Sequence, residues 1–302
     1  MTDHVGVVLA RDGGSYRILL DGVERVAVLR GKAKREVRRA VAGDRILIDS
    51  TTLDQETIGI VAVEERTSLL ERRVPDGRGT RPVAANVDQV MVVTATVNPA
   101  PIPQLIDRLL VVAESNDIPA AVIINKIDLA PADALTRHLA ATNYPVYLAS
   151  AATGEGIEQL RAALVGKVSV LTGPSGAGKS SLLNAVEPGL GLRVGALSAK
   201  VHRGRHTTVT ATMIPLAEGG FVVDTPGFSE VGLWAIVHEE LDQCFPEFRS
   251  AVGSCRFGNC LHKTEPGCAV RALVEAGEAV EERYASYRAI LAELEGLPEE
   301  WE

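Results

Sequence analysis

Short runs rich in apolar and β-branched residues open the chain: GVVLA, YRILL, VERVAVLR, DRILID and IGIVAVEE, all between residues 5 and 65. Turn-forming groups separate them, among them Asp12-Gly13-Gly14, Asp21-Gly22 and Ala42-Gly43-Asp44. Runs of this length and composition bounded by such turns predict short strands. Five short strands at this spacing fit a small barrel of the oligonucleotide/oligosaccharide-binding type over residues 1–66. The polar stretch from Arg66 to Pro82, with Pro75-Asp76-Gly77 inside it, reads as a linker over 67–85. From Val87 the pattern changes. Apolar runs (QVMVVTA, AAVIINK, YPVYLAS, KVSVLTG, GFVVDTPG) alternate with helical periodicity in PQLIDRLLVVAES, EGIEQLRAAL and KSSLLNAV. This predicts a mostly parallel sheet covered by helices on both faces, an α/β domain over 86–233. After Trp234 the chain reads helical again, broken by a Cys/Gly-rich loop, which sets off a third unit over 234–302.

Composition narrows the class. In 302 residues, 46% are hydrophobic and 23% charged, which excludes a largely disordered or collagen-like chain. No run reaches the ~18 consecutive apolar residues of a membrane span, and MTDHVG lacks the basic-then-apolar pattern of a signal peptide. A cytoplasmic protein without a membrane partner is expected. The absence of coiled-coil heptads makes a monomer the expected state. The net charge of -8 hides an asymmetry. Arg30, Lys32, Lys34, Arg35, Arg38 and Arg39 cluster on the expected barrel, while the far end is acidic. On a barrel of this type the basic cluster is a candidate for RNA phosphate contact, and the overall acidity argues for a shape-selected partner.

Gly173-Pro174-Ser175-Gly176-Ala177-Gly178-Lys179-Ser180 follows the strand KVSVL and precedes the helix that Ser180 and Ser181 begin. This is the phosphate-loop pattern in its required place. Inward-turned backbone N–H groups and a helix N-terminus would hold phosphate oxygens, Lys179 would reach the β and γ phosphates, and Ser180 would ligate Mg²⁺. Base choice falls to Asn125-Lys126-Ile127-Asp128. The Asp128 carboxylate there accepts from N1 and the exocyclic amino group of guanine, where adenine offers neither hydrogen, and buried unpaired polar groups make that difference large. Asn125 would tie the base loop to the phosphate loop, and the Lys126 stem would cover the ring. Ser150-Ala151 fit a second guanine-contacting loop.

Asp224-Thr225-Pro226-Gly227 supplies a carboxylate for the Mg²⁺ shell and a Gly227 N–H that senses the γ phosphate. The stretch LSAKVHRGRHTT, 197–208, is rich in Gly and basic residues and fits a nucleotide-ordered switch. Thr207 or Thr208 would give Mg²⁺ a second hydroxyl, and the sequence leaves that choice open. Phe228 stands where many GTPases place a water-orienting glutamine. His206 is the candidate for that task, directly or once a partner orders the loop, with phosphate or RNA contact as its alternative role. Arg203 and Arg205 are further RNA or phosphate candidates. Gly176 stands where potassium-dependent relatives carry asparagine, so no potassium dependence is expected. Cys255-x4-Cys260-x-His262-x5-Cys268 offers three thiolates and an imidazole among glycine turns, the donor count of one closed, structural Zn²⁺ site. Cys244 reads as a buried core residue.

Asn125 precedes Gly173, the reverse of the usual order, so the domain is circularly permuted. With AANVDQV, NKID, GPSGAGKSSLLN, RGRHTT, DTPGF, GLW, FPEF and the terminal Cys/His cluster, the chain resembles the circularly permuted ribosome-assembly GTPases of the RsgA family. The resemblance implies an rRNA-contacting barrel, a central Mg²⁺-dependent GTPase and a C-terminal zinc domain. It also implies low intrinsic activity stimulated by the small (30S) ribosomal subunit, with GTP/GDP and 16S rRNA as partners, in late assembly or a checkpoint of that subunit. The alternative is a nucleotide-gated rRNA-binding module whose hydrolysis is incidental. A metabolic nucleotide kinase is disfavoured, because NKID and the switch motifs would have no role in one.

Overall fold

In the computed structural model, residues 4–31, 40–73, 80–192, 211–225 and 236–296 are described. The short N-terminal runs become β1 (His4–Asp12), β2 (Ser15–Leu20), β3 (Val23–Leu29), β4 (Arg45–Ile48) and β5 (Thr57–Val63). They close into a barrel in the order β1-β2-β3-β5-β4, with β3 and β5 parallel and the other neighbours antiparallel. Val8, Ile18, Ala27, Ile46, Ile58 and Ile60 fill its interior with no exposed surface, so closure removes sheet edges and dries the core together.

The stretch read as a linker is a hairpin instead, and that expectation is corrected. β6 (Leu69–Arg73) pairs antiparallel with β7 (Thr80–Ala85). Apolar residues at its inner ends account for this: Leu70 and Ala84 are fully buried in the core that continues under the next domain. Ala42 bridges to Ala84, and the buried Asp44 carboxylate accepts two hydrogen bonds from Arg66, at 2.7 and 2.9 Å. The Asn86 amide donates to the Gly43 carbonyl at 2.8 Å. The barrel is thereby stapled to the hairpin.

The α/β domain is a six-stranded sheet in the order β10-β9-β8-β11-β13-β12, formed by β8 (Gln89–Ala95), β9 (Ala120–Asn125), β10 (Val146–Leu148), β11 (Val168–Thr172), β12 (Thr212–Pro215) and β13 (Phe221–Asp224). All neighbours are parallel except the edge strand β12, which runs against β13. One face packs on α1 (Pro103–Glu114) and α2 (Asp133–Leu139), the other on α3 (Ile157–Leu164) and α4 (Lys179–Val186). The two-sided cover explains why β8 and β9 are buried at every position. Leu9 of β1 shares one core cluster with Met213 of β12, so the barrel rests on that edge strand.

The C-terminal unit has short 3₁₀ turns at His238–Cys244 and Pro246–Phe248, then α5 (Ala269–Glu275) and α6 (Glu281–Glu295). Its core is aromatic. Phe245 stacks on Phe248 at 5.1 Å, and Tyr287 meets both edge-on. Cys244 is buried there, as expected, and burial pushes its thiol up to about 12, an inert state. Val111 of α1 belongs to this core, so α1 has one face toward the sheet and another toward the C-terminal unit. Among the described residues no helix is long and apolar enough to cross a membrane.

Gly43 has φ +92°, and a Cβ there would sit 2.0 Å from the Ala85 carbonyl oxygen. Gly43→Ala is expected to cost about 1–3 kcal/mol in backbone strain and to lower the apparent melting temperature by at least ~2 °C. An unchanged melting curve would show that the barrel–hairpin joint is not tight.

Candidate nucleotide and metal sites

The carboxyl ends of β9, β11 and β13 deliver Asn125, the phosphate loop and Asp224 to one edge of the sheet, where open α/β sheets bind their ligands. Close packing specifies the loop. Gly173, at φ +135°, would place a Cβ 2.0 Å from the Val93 carbonyl oxygen. Gly178, at φ +96°, would place one 2.2 Å from Asn125 Nδ2. Asn125 Nδ2 donates to the Ala177 carbonyl at 2.8 Å, and its Oδ1 accepts from the Ala151 N–H at 3.2 Å. One amide therefore links the base loop, the phosphate loop and the Ser150-Ala151 loop.

Lys126, at φ +64°, donates to the Gly176 carbonyl at 2.8 Å and also to that of Asn98. Thr96 holds the same lysine's carbonyl at 2.7 Å. Asp128 is exposed beside this loop, open to a base. Ser150 is fully buried, and its hydroxyl accepts from the Thr153 N–H at 3.1 Å. Pro174, Ser175 and Gly176 form the solvent side of the phosphate loop, Ala177 its buried side, and Ser180 and Ser181 lie in the first turn of α4. Lys179 is buried and donates to the Gly173 and Pro174 carbonyls at 2.6 and 3.0 Å. Burial lowers its pKa, and the nearby Asp224 carboxylate opposes that shift. A partly desolvated ammonium gains most from an arriving polyphosphate.

His206, Thr207, Thr208, Arg203, Arg205 and Gly227 lie outside the described residues, as do Lys32, Lys34, Arg35, Arg38 and Arg39. Arg30 lies inside them, donating to Gln55 Oε1 at 3.2 Å, with its stem across Gly59.

The second site is the Cys/His cluster. The ligand atoms of Cys255, Cys260, His262 and Cys268 all lie within 4.8 Å of one another. His262 Nδ1 is 3.5 Å from the sulfurs of Cys255 and Cys260 and 3.3 Å from that of Cys268. A tetrahedron with Zn–S near 2.3 Å and Zn–N near 2.05 Å has N···S edges of about 3.6 Å, so the donors already stand close to metal-ligand spacing. His262 Nε2 faces Asp242 Oδ2 at 3.0 Å, the carboxylate contact that leaves the Nδ1 lone pair for a metal. The Ala269 and Arg271 N–H groups point at the sulfurs of Cys255 and Cys268. Tyr284 and Tyr287 donate to the carbonyls of His262 and Leu261, at 2.6 and 3.0 Å, and fix the loop. Sequence spacing found the four donors but not Asp242 or the tyrosines, which lie far along the chain and carry no motif.

These features define a class: a permuted phosphate-loop GTPase domain between an N-terminal barrel and a metal-binding helical unit. The RsgA GTPase family matches residues 63–234. The small ribosomal subunit biogenesis GTPase RsgA of Gemmatimonas aurantiaca is 47% identical over 98% of this chain and 99% of its own length. The crystal structure of YjeQ from Thermotoga maritima matches with a TM-score of 0.82 at 35% identity, over 98% of this chain and 100% of that one. The crystal structure of YloQ, a circularly permuted GTPase, matches at 0.75 and 29%, over 98% and 97%. The chain belongs to the RsgA GTPase family and is a GTP-hydrolysing enzyme. The permutation, the barrel and the three-part architecture read from the sequence are borne out.

Two outcomes follow from this geometry. Gly178→Ala is expected to displace Asn125 and weaken GDP binding at least ~10-fold, measured by titration with a fluorescent GDP analogue; wild-type affinity would show that the Asn125 tie is dispensable. The metal-free cluster holds protons at neutral pH. Burial raises the Cys260 thiol to about 12, and burial is outweighed at His262, where the Asp242 carboxylate and neighbouring sulfurs raise the imidazole to about 9. The metal-bound ligands carry fewer protons, so zinc uptake by stripped protein is expected to release protons and to tighten as pH rises toward 9. Uptake without proton release in weakly buffered indicator solution would contradict this donor set.

Proposed function

We propose that this chain is a Mg²⁺-dependent GTPase, slow alone and stimulated by the small (30S) ribosomal subunit, acting in the late assembly or a checkpoint of that subunit. The observation that carries the reading is end-to-end identity of 47% with a relative named for small ribosomal subunit biogenesis. The barrel, its basic segment from Arg30 to Arg39, and the switch residues Arg203 and Arg205 are the surfaces offered to 16S rRNA. The protein works as a cytoplasmic monomer, and the Cys/His cluster holds one structural Zn²⁺.

In the reaction, water attacks the γ phosphate of GTP and GDP leaves. Asp128 selects guanine, with Asn125, Lys126 and the Ser150-Ala151 loop framing the base. Lys179 and the phosphate-loop N–H groups neutralise charge growing on the β and γ oxygens. Ser180, Asp224 and Thr207 or Thr208 would hold Mg²⁺, which supplies further positive charge at those oxygens. Phe228 cannot orient the water, and His206 is assigned that task, with Gly227 N–H facing the γ phosphate.

The test is phosphate release from GTP and, separately, ATP, with and without purified small subunits, with Lys179→Ala as the inactive control. Hydrolysis of GTP alone, accelerated by the subunit, is expected. His206→Ala is expected to lose about 10²-fold of the stimulated rate. GTP hydrolysis indifferent to the subunit would overturn the partner, and full activity in His206→Ala would overturn its role.

A further inference from the structure

Arg283, on α6 of the C-terminal unit, has no exposed surface, an unusual place for a guanidinium. Its Nη1 donates to Asp107 Oδ1 of α1 at 2.6 Å, its Nε and Nη2 grip the Glu247 carboxylate, and its plane lies over the Phe245 ring at 5.0 Å. Asp107 and Glu247 are buried as fully. Asp107 also receives His138 of α2, whose Nε2 lies 2.9 and 3.0 Å from its two oxygens. Burial works against the Arg283 charge, and the two carboxylates more than restore it. Nothing in GTP hydrolysis uses these groups directly. Replacing such a buried ionic cluster by apolar side chains is often neutral or stabilising, so stability alone is a poor account of it.

The helices that the cluster joins lead to the base-recognising side of the nucleotide site. α1 begins one turn before Asp107, and the loop ahead of it holds Thr96 and Asn98, which bind the Lys126 carbonyl and ammonium. Pro99 of that loop lies against Gly176 of the phosphate loop, 3.3 Å from where a Cβ would stand. α2 follows Asp128 across a short loop, and Ile127 before it and Ala132 at its end pack in the same core as Leu135. Further contacts of α1 with the C-terminal unit include Arg108 with Glu293, Glu114 with Arg249, and Val111 in the aromatic core. The face from Asp107 to Glu114 is therefore committed to that unit.

We propose that Arg283 is a positioning residue for guanine nucleotide: through Asp107 and His138 it sets α1 and α2, and with them the Thr96–Pro99 and Asn125–Asp128 loops, so that the metal-binding unit controls how long GDP stays bound. A directional, hydrogen-bonded charge cluster fixes one orientation of the two helices, which an apolar patch of equal volume would not. The inference rests on the guanine-site reading above.

The experiment uses the full chain with its metal. In Arg283→Met, GDP release, followed by chase of a fluorescent GDP analogue, is expected to speed up about tenfold, within the 5–150-fold range usual for coupling between sites. The single-turnover rate at saturating GTP is expected to stay within about twofold, since neither Lys179 nor the Mg²⁺ ligands are touched. Arg283→Lys, which keeps the charge but loses the fork, is expected to recover part of the effect. Arg283→Met combined with Asp107→Asn and Glu247→Gln leaves no buried carboxylate unpaired and keeps an acceptor for His138, which guards against simple unfolding. It is expected to melt closer to wild type than Arg283→Met, with its metal retained, and still to release GDP fast. Wild-type GDP release in that triple variant would overturn the proposal. Equal affinity of the wild-type protein for ADP and GDP would overturn the guanine-site reading instead, whatever Arg283 does.

Discussion

The nucleotide site depends on one side-chain amide. Asn125 spends both of its polar atoms on other loops, its Nδ2 on the Ala177 carbonyl and its Oδ1 on the Ala151 N–H. Both bonds form in a nearly dry setting, since Asn125 is 2% exposed, and each is correspondingly costly to leave unmade. The geometry constrains its neighbours in turn. Only a residue without a Cβ can stand at 178 beneath that amide, and only glycine can turn the chain at 173 against the Val93 carbonyl. The phosphate loop is held to the base loop before any ligand arrives, which reduces the ordering that binding must supply.

That tie also explains why permutation is tolerated. A ligand meets loops at the carboxyl ends of parallel strands and does not sense the order in which the chain visits them. β9 carries Asn125, β11 leads into Gly173, and β13 ends at Asp224, and their adjacency follows from the strand order β9-β8-β11-β13. What permutation changes is the neighbour each loop has along the chain. Here the chain leaves the sheet after Asp224 and goes on to build the metal-binding unit, which closes on α1 through Val111.

Much of this was legible in the sequence, for identifiable reasons. Short apolar, β-branched runs between turn residues announced all five barrel strands, because a closed barrel with a dry interior draws apolar side chains from every strand. The phosphate loop, NKID and the Cys/His spacing were legible because phosphate, guanine and metal each fix residue type and spacing locally. The pairing of Leu69–Arg73 with Thr80–Ala85 was not, since the charged residues of that stretch outnumber Leu70 and Ala84, and the burial of those two depends on Ala42 and on the next domain. α2 was missed because seven residues carry little periodicity. Asp242 and the Arg283 cluster were invisible for another reason: their partners lie 20 and 176 residues away, and no local pattern encodes such pairs.

The acidic end of the chain shows how structure redirects a compositional argument. Read as composition, Glu293 and Glu295 form a field that repels RNA. In the fold, Glu293 pairs with Arg108 of α1 and Glu295 with Lys263 of the metal loop, so α6 spends these charges on its two neighbours. Both pairs are partly exposed, and such pairs contribute little to stability. Their effect is on orientation: they hold the far end of α6, while Arg283 holds its first turn, and leave the helix one way to lie. A unit with only two described α-helices and a small aromatic core has little area with which to hold itself together. The helix α1 that it shares with the sheet supplies part of what its own core cannot, a metal held by the Cys/His cluster would supply more, and the order of the C-terminal unit is thereby tied to the order of α1.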